Sequence, residues 1–286
     1  MHRIVANERL APSIHRITVE APLIAKKRKP GQFIIFRINE HGERVPLTIF
    51  DADEQSGTIT LVVQGIGKST IDLCNMKNGG GVQDIVGPLG VPSEIIKYGT
   101  VVVMGGGVGI AVAYPTAKAL KAAGNYVISI TGYRSQEMVI IEEDISSVSD
   151  ESYITTDDGS YGIKGFCTTK LAELIESGVQ IDMVFAVGPL PMMRAVSELT
   201  RVHDIHTMVS LNPIMVDGTG MCGGCRATVD GKTVFVCVDG PEFDGHKVDF
   251  DQLMKRNRSY LLDEEKARDV HDCRLDSIFD TKIKNK

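Results

Sequence analysis

The run Asp217-Gly-Thr-Gly-Met-Cys222-Gly-Gly-Cys225, followed by Cys237, constrains this chain more than any other segment. One carboxylate and three thiols fall within 21 residues, spaced x4, x2 and x11. The plant-type [2Fe–2S] pattern is C-x4-C-x2-C…C, so the run matches it with Asp in the first place. Gly218, Gly220, Gly223 and Gly224 let a backbone wrap closely around a cluster and aim N–H groups at its sulfides. Zinc also accepts Cys-x2-Cys, and a zinc site of three Cys and one Asp is chemically open. A Gly-flanked Asp is often a turn former, so what singles out Asp217 is its place at the missing first Cys. Disulfides are disfavoured, because Cys74, Cys167 and Cys273 are scattered without a framework. The segment points to chemistry that moves one electron at a time.

The rest of the chain is compatible with that work. Its 286 residues suit two or three domains. A hydrophobic content of 43% and a charged content of 24% describe an ordinary globular protein. The net charge of −6 argues against nucleic acid or an anionic membrane as partner. The basic run Lys26-Lys27-Arg28 reads as a solvated turn. No stretch approaches the ~18 apolar residues of a spanning helix, and Met1-His-Arg-Ile-Val has no apolar signal core. A cytoplasmic protein is expected.

Patterning divides the chain into four parts. Residues 1–97 carry short alternating runs broken by turns: 13–20, 32–39, 47–50 and 57–63, with a turn at 51–56. That spacing predicts a small closed antiparallel barrel. From residue 98 the period changes. Apolar runs at 100–104, 126–131, 153–155 and 183–187 alternate with helical segments at 110–123, 168–177 and 191–202. A doubly wound parallel sheet is expected over 98–210. Residues 211–248 hold the Cys segment, with a hairpin about Asp230-Gly231. Residues 249–286 form a charged extension containing Asp263-Glu-Glu-Lys, read as a helix that packs on a partner.

Three glycine-rich or basic pieces are candidates for nucleotides. Arg44-Val-Pro46-Leu-Thr48 lies at a strand edge. Arg44 can neutralise a diphosphate, Pro46 and Leu47 offer an apolar surface to a flat ring, and Thr48 can bond a ring nitrogen. Alone, the segment reads equally as a plain strand. Gly65-Ile-Gly67-Lys68-Ser69-Thr70 follows a strand and opens a short helix at 70–76. Free N–H groups there suit phosphate, with Ser69 and Thr70 as hydroxyl donors or simply helix caps. The spacing is too short for a Walker A loop, so ATP hydrolysis is disfavoured. Gly105-Gly-Gly-Val-Gly109 sits between an apolar strand and a helix, the context of a nucleotide turn without the full G-x-G-x-x-G, and also that of a tight βα turn. Loops at 132–135, 156–159 and 188–192 fall where strand C-termini, and so ligands, are expected. No acid–base or nucleophile set emerges. His203 and His206 are placed near a helix end as surface residues, Glu142-Glu-Asp144 as a solvated helix face, and Cys74 and Cys167 lack partners. That fits redox work, where cofactors do the chemistry.

Taken in order, the Arg-x-Pro-x-Thr strand, the Gly-Lys-Ser-Thr loop, Gly87-Pro-Leu-Gly90 and Gly105–Gly109 resemble the ferredoxin–NADP⁺ reductase superfamily. The Cys segment narrows the resemblance to relatives of the dihydroorotate dehydrogenase electron-transfer subunit. Asp217 in the first ligand place is similar to the small subunits of NADH-dependent reduced ferredoxin:NADP⁺ oxidoreductases. The resemblance implies FAD at Arg44, Val45, Pro46, Leu47, Thr48 (near the flavin N5), Ile49, Val62, Gly67, Lys68, Ser69 and Thr70. It implies NAD(H) at Gly106, Gly107, Val108, Gly109, Arg134, Asp157, Asp158, Gly188, Pro189 and Met192. It implies Asp217, Cys222, Cys225 and Cys237 as ligands of a [2Fe–2S] cluster. Pro46 stands where the wider superfamily often has a flavin-stacking tyrosine.

The expected activity is hydride exchange between FAD and NAD(H), then single-electron exchange through the cluster with a larger subunit. By resemblance that subunit carries a second flavin, [4Fe–4S] clusters and NADP(H), and splits electrons between NAD⁺ and ferredoxin. NAD(H) is preferred over NADP(H), although Arg134 and Ser135 lie where a 2′-phosphate is held elsewhere. The rivals are an electron-transfer subunit for dihydroorotate, sulfide or glutamate-type oxidation, and a zinc-stapled nucleotide-sensing module.

Overall fold

A computed structural model describes residues 1–266. Residues 267–286, the end of the charged extension with Cys273, lie outside them.

Eight strands build the first part: β1 (His2–Ala11), β2 (Ile14–Glu20), β3 (Phe33–Arg37), β4 (Val45–Thr48), β5 (Asp51–Asp53), β6 (Thr58–Gln64), β7 (Gly81–Val82) and β8 (Asp84–Leu89). They form an antiparallel five-stranded sheet in the order β5-β6-β2-β1-β7 and an antiparallel three-stranded sheet, β4-β3-β8. Ile4, Ile17, Val19, Ile34, Phe36, Ile49, Ile59 and Leu61 fill the space between them. The chain steps from one sheet to the other at Ile49–Phe50 and at Gln83, where backbone bonds continue across. Helices α1 (Pro22–Lys27) and α2 (Lys68–Asn75) flank this barrel. Two expectations change. Lys26 and Lys27 end a helix rather than sit in a free turn, and Arg28 pairs with Asp51 at 2.7 Å. The first strand, β1, is longer than any pattern in its sequence suggests, because bulges at Ile4/Ala6 and Arg9/Ala11 break its alternation.

The second part is a seven-stranded sheet. Its strands are β9 (Thr100–Gly106), β10 (Tyr126–Tyr133), β11 (Glu151–Thr156), β12 (Ile163–Lys164), β13 (Met183–Val187) and β14 (His206–Ser210), all parallel, and the antiparallel edge strand β17 (Glu242–Asp244). Continuous apolar runs in β9 and β13 are buried on both faces, as a doubly wound sheet demands. On one face lie α3 (Gly109–Ala122) and α4 (Glu142–Ser147); on the other, α5 (Cys167–Glu176) and α6 (Leu190–Arg201). His206 starts β14 rather than ending a helix, and it remains exposed.

The cysteine segment adds the hairpin β15 (Arg226–Val229) and β16 (Lys232–Phe235), the one-turn helix α7 (Val236–Asp239), and β17 itself. Helix α8 (Phe250–Asn257) follows, capped by Asp249, and buries Phe250 and Leu253. The segment is therefore not a free appendage: its last strand completes the neighbouring sheet. Cys225, Ala227, Val236 and Cys237 share one apolar core with Phe33 and Ile35 of the barrel and Met104 of β9. On the opposite face of the sheet, Ala11, Ile14, Phe50 and Val62 of the barrel pack with Ile110 and Tyr114 of α3. Phe50 stacks on Tyr114 with ring centroids 4.5 Å apart. Arg16 lies over the Phe50 ring and pairs with Asp144 of α4. Asp144 thus closes this seam, where sequence reading expects a solvated face. Among the described residues no helix is long and apolar enough to cross a membrane.

Candidate functional site

Three of the four donors, Asp217, Cys222 and Cys225, sit on a glycine-rich loop that folds around the first of them, and Cys237 lies in α7 beyond the hairpin. The Asp217 carboxylate accepts hydrogen bonds from the backbone N–H and hydroxyl of Thr219 and from the backbone N–H of Cys222, the last at 2.7 Å. Those bonds, led by the Thr219 hydroxyl, hold its carboxyl well below the usual carboxylate range. Gly218, Gly220 and Gly223 all adopt positive φ, which lets the chain reverse repeatedly in so few residues. The Cys225 and Cys237 sulfurs are buried together as free thiols, Cys225 Sγ donating to Cys237 Sγ at 3.2 Å. Burial, then the Cys225 contact, pushes the Cys237 thiol up to about 12. A thiol in such a place ionises when a metal takes the place of its proton. Cys222 is exposed, and its thiol lies against the Asp217 carboxylate.

Among the described residues no three His, Cys, Asp or Glu side chains converge where one metal ion would sit. The donors fall instead into two neighbouring pairs, Asp217 with Cys222 and Cys225 with Cys237. A mononuclear zinc site asks for four donors about one point; a two-iron cluster spreads four over two irons. The donor set fits the cluster.

The loop rests on the barrel. A Cβ added to Gly218 would come within 2.8 Å of Ile35 and Leu89 of β3 and β8. Arg44, which precedes β4, donates from Nε to the Val216 carbonyl at 2.9 Å and from Nη2 to the Asp217 carbonyl at 3.3 Å. From the other side, Arg256 of α8 donates to the Gly224 carbonyl at 3.2 Å. A cavity of about 320 Å³ opens between Cys222, Arg226 and the end of α8.

The sequence-predicted flavin residues gather at β4 and the start of α2. Val45, Pro46, Leu47 and Thr48 are all half-buried, and Val45 and Leu47 pack against the barrel core. Ile49 turns its side chain into the barrel core and Val62 into the seam with α3, so neither presents its side chain to a ligand. Gly67 caps α2, with open space around the position of a Cβ. The Thr70 hydroxyl is spent on that turn, accepting from the backbone N–H groups of Ile66 and Gly67 at 3.1 Å. Ser69 is buried and donates to Glu43 at 2.7 Å, a link with no signal in the sequence.

The residues expected to hold the nicotinamide nucleotide lie along the C-terminal edge of the sheet. Gly106 ends β9 against the Gly188-Pro189 turn; a Cβ there would reach Met192 Sδ at 2.6 Å and Pro189 Cδ at 2.8 Å. Gly109 is held equally close to the Val187 carbonyl, 2.5 Å from where its Cβ would stand. Gly107 has φ +54 and faces open space, leaving room for phosphate at the start of α3. Val108 is half-buried beside it. Arg134, Asp157 and Asp158 lie further out, at the ends of β10 and β11, exposed and joined through the bond from Asp158 N–H to the Arg134 carbonyl. Cys74 and Cys167 are buried, and burial pushes both thiols up to about 11, which suits packing rather than nucleophilic attack.

Comparison with known proteins places this arrangement. Residues 212–249 match the iron–sulfur cluster binding domain of dihydroorotate dehydrogenase B. The chain is 44% identical over 265 residues to a dihydroorotate dehydrogenase B (NAD⁺) electron transfer subunit homolog of Thermotoga maritima, covering 93% of each chain. It belongs to that family of electron-transfer subunits. A solved structure described as the NADH-dependent reduced ferredoxin-NADP oxidoreductase is also 44% identical, with a TM-score of 0.89 over 94% of this chain and 96% of that one. Phthalate dioxygenase reductase, at 16% identity and a TM-score of 0.57, shares the fold alone over 85% of this chain and 95% of that one. The electron-transfer subunit is thus an NAD(P)H-dependent flavin and iron–sulfur oxidoreductase with the ferredoxin–NADP⁺ reductase architecture.

Proposed function

We propose that this electron-transfer subunit exchanges hydride with NAD(H) at an FAD bound on the barrel, and exchanges single electrons with a larger partner through a [2Fe–2S] cluster. FAD supplies the change from two-electron to one-electron chemistry. The chain's own residues bind and orient. β4 takes the ring, with Thr48 beside it, and the α2 N-terminus takes the diphosphate. Gly106, Gly107 and Gly109 bring the backbone close to the dinucleotide, and Pro189 and Met192 close over it. Asp217, Cys222, Cys225 and Cys237 hold the cluster.

The observation that carries this reading is the double contact of the donor loop, through Gly218 on β3 and β8 and through Arg44 at the flavin strand. It supports a reading in which the two cofactor sites lie side by side. The partner we infer holds a second flavin, [4Fe–4S] clusters and NADP(H), as the family resemblance implies; the 44% identity to the structure described as the electron-bifurcating NADH-dependent reduced ferredoxin-NADP oxidoreductase supports it. Asp217 favours that partner over a dihydroorotate-oxidising one, whose electron-transfer subunit carries Cys in the first place. Native co-purification tests the choice: a partner with [4Fe–4S] clusters and NADPH oxidation supports it, and a partner that oxidises dihydroorotate overturns it. Reducing the flavin with NADH and with NADPH separately tests the preference for NAD(H).

A further inference from the structure

Residues Glu43 and Arg44, which lead into β4, reach in opposite directions. The Glu43 carboxylate accepts from the Ser69 hydroxyl at 2.7 Å, at the start of α2. Arg44 spends Nε and Nη2 on the carbonyls of Val216 and Asp217. Two consecutive residues thus tie the proposed diphosphate loop, the flavin strand and the first cluster ligand into one unit. A guanidinium has five N–H donors in a fixed fork. With Nε and Nη2 on the carbonyls, Nη1 remains for a phosphate oxygen.

We propose that Arg44 is a positioning residue that couples the two cofactor sites: it ties the cluster loop to the flavin strand, so that FAD binding orders residues 216–222 and an ordered loop retains FAD. The proposal rests on the flavin and cluster reading above. Two features set the loop's fold and its seat on the barrel. Its fold depends on the Asp217 carboxylate, which organises the N–H groups of Thr219 and Cys222. Its seat depends on Gly218, at φ +78, lying flat on Ile35 and Leu89. Once Arg44 lets go of the carbonyls, Gly218 alone still holds the loop on the barrel. Phosphate binding fixes the fork, and a fixed fork presents its other donors to the loop. Linkage then requires the effect to run both ways.

The test is hydrogen exchange of the Thr219 and Cys222 amides in the anaerobic holoprotein and after FAD removal, for wild type, Arg44→Lys and Gly218→Ala. Iron and flavin content are assayed in each. In wild type, FAD removal is expected to speed exchange of these amides by about 5- to 150-fold, the usual range of coupling between sites. Arg44→Lys keeps a charge for phosphate and loses the fork, so its exchange is expected to be fast with FAD bound and unchanged by FAD removal. Gly218→Ala lifts the loop without touching the flavin strand, so it is expected to release FAD faster than wild type with Arg44 intact. If Arg44→Lys does not retain FAD, Gly218→Ala decides. Exchange indifferent to FAD in wild type overturns the proposal, as does FAD release unchanged in a Gly218→Ala protein whose loop exchanges fast. A wild-type preparation lacking flavin or iron would overturn the functional reading instead, and the assays separate the two.

Discussion

At the scale of single residues, Asp217 departs most from a four-thiolate cluster. A carboxylate is a harder ligand than thiolate, so Asp217 as the proposed ligand would alter the potential of its iron. Replacing Asp217 by Cys is expected to move the cluster's midpoint potential in an EPR-monitored titration; an unmoved midpoint would remove Asp217 from the ligand set. Gly106 offers a second test. Its Cβ has no room between Met192 and Pro189, so Gly106→Ala is expected to raise the KM for NADH about tenfold or more, a loss of at least ~1.4 kcal/mol of binding, while flavin content stays at the wild-type level. The proposed ligands could be picked out in the sequence because their spacing is local. The second attachment of Arg44 could not, since its partners lie 172 and 173 residues away. The hydroxyl of Thr70 was legible only as a choice between cap and ligand, and the fold spends it on the cap.

At the scale of elements, the seams decide behaviour. The Phe50–Tyr114 stack joins barrel to α3, so Tyr114→Phe keeps the ring pair while Tyr114→Leu stays apolar but loses the pair and part of the packed volume. A loss of about 1 kcal/mol is expected for Tyr114→Leu in denaturant melts. β17 carries a titrating group into another seam. Glu242 accepts from the Ser93 hydroxyl at 2.6 Å, and Ser93 in turn meets Thr116 of α3. Burial pushes the Glu242 carboxyl up to about 7, against about 4.3 in an unfolded chain. Between those values the folded state binds the extra proton, so stability is kept below the lower one and lost as pH rises through the upper. Glu242→Gln holds the neutral form, so its Tm is expected to gain on wild type between about pH 5 and about pH 8; parallel Tm curves would show that Glu242 does not titrate there. Strands β9 and β13 were legible as apolar runs because burial on both faces leaves no polar position. β14 and β17 were not, since each is short and gains its place only by pairing with a distant neighbour.

At the scale of the whole molecule, the cysteine segment is a wedge. One core holds Cys225 and Cys237 with barrel and sheet residues alike, so the proposed cluster site and the barrel share one packed interior. The barrel followed by a parallel sheet was legible from the change of hydrophobic period near residue 98; the wedge was not, because it depends on contacts among three separate parts of the chain. The most direct test is anaerobic native purification with iron, flavin and partner analysis, followed by EPR before and after NADH. One FAD and about two irons per chain, a co-purifying larger subunit, and a cluster signal that grows on NADH addition are predicted. A colourless preparation holding zinc, or a cluster that stays oxidised while NADH bleaches the flavin, would contradict the account.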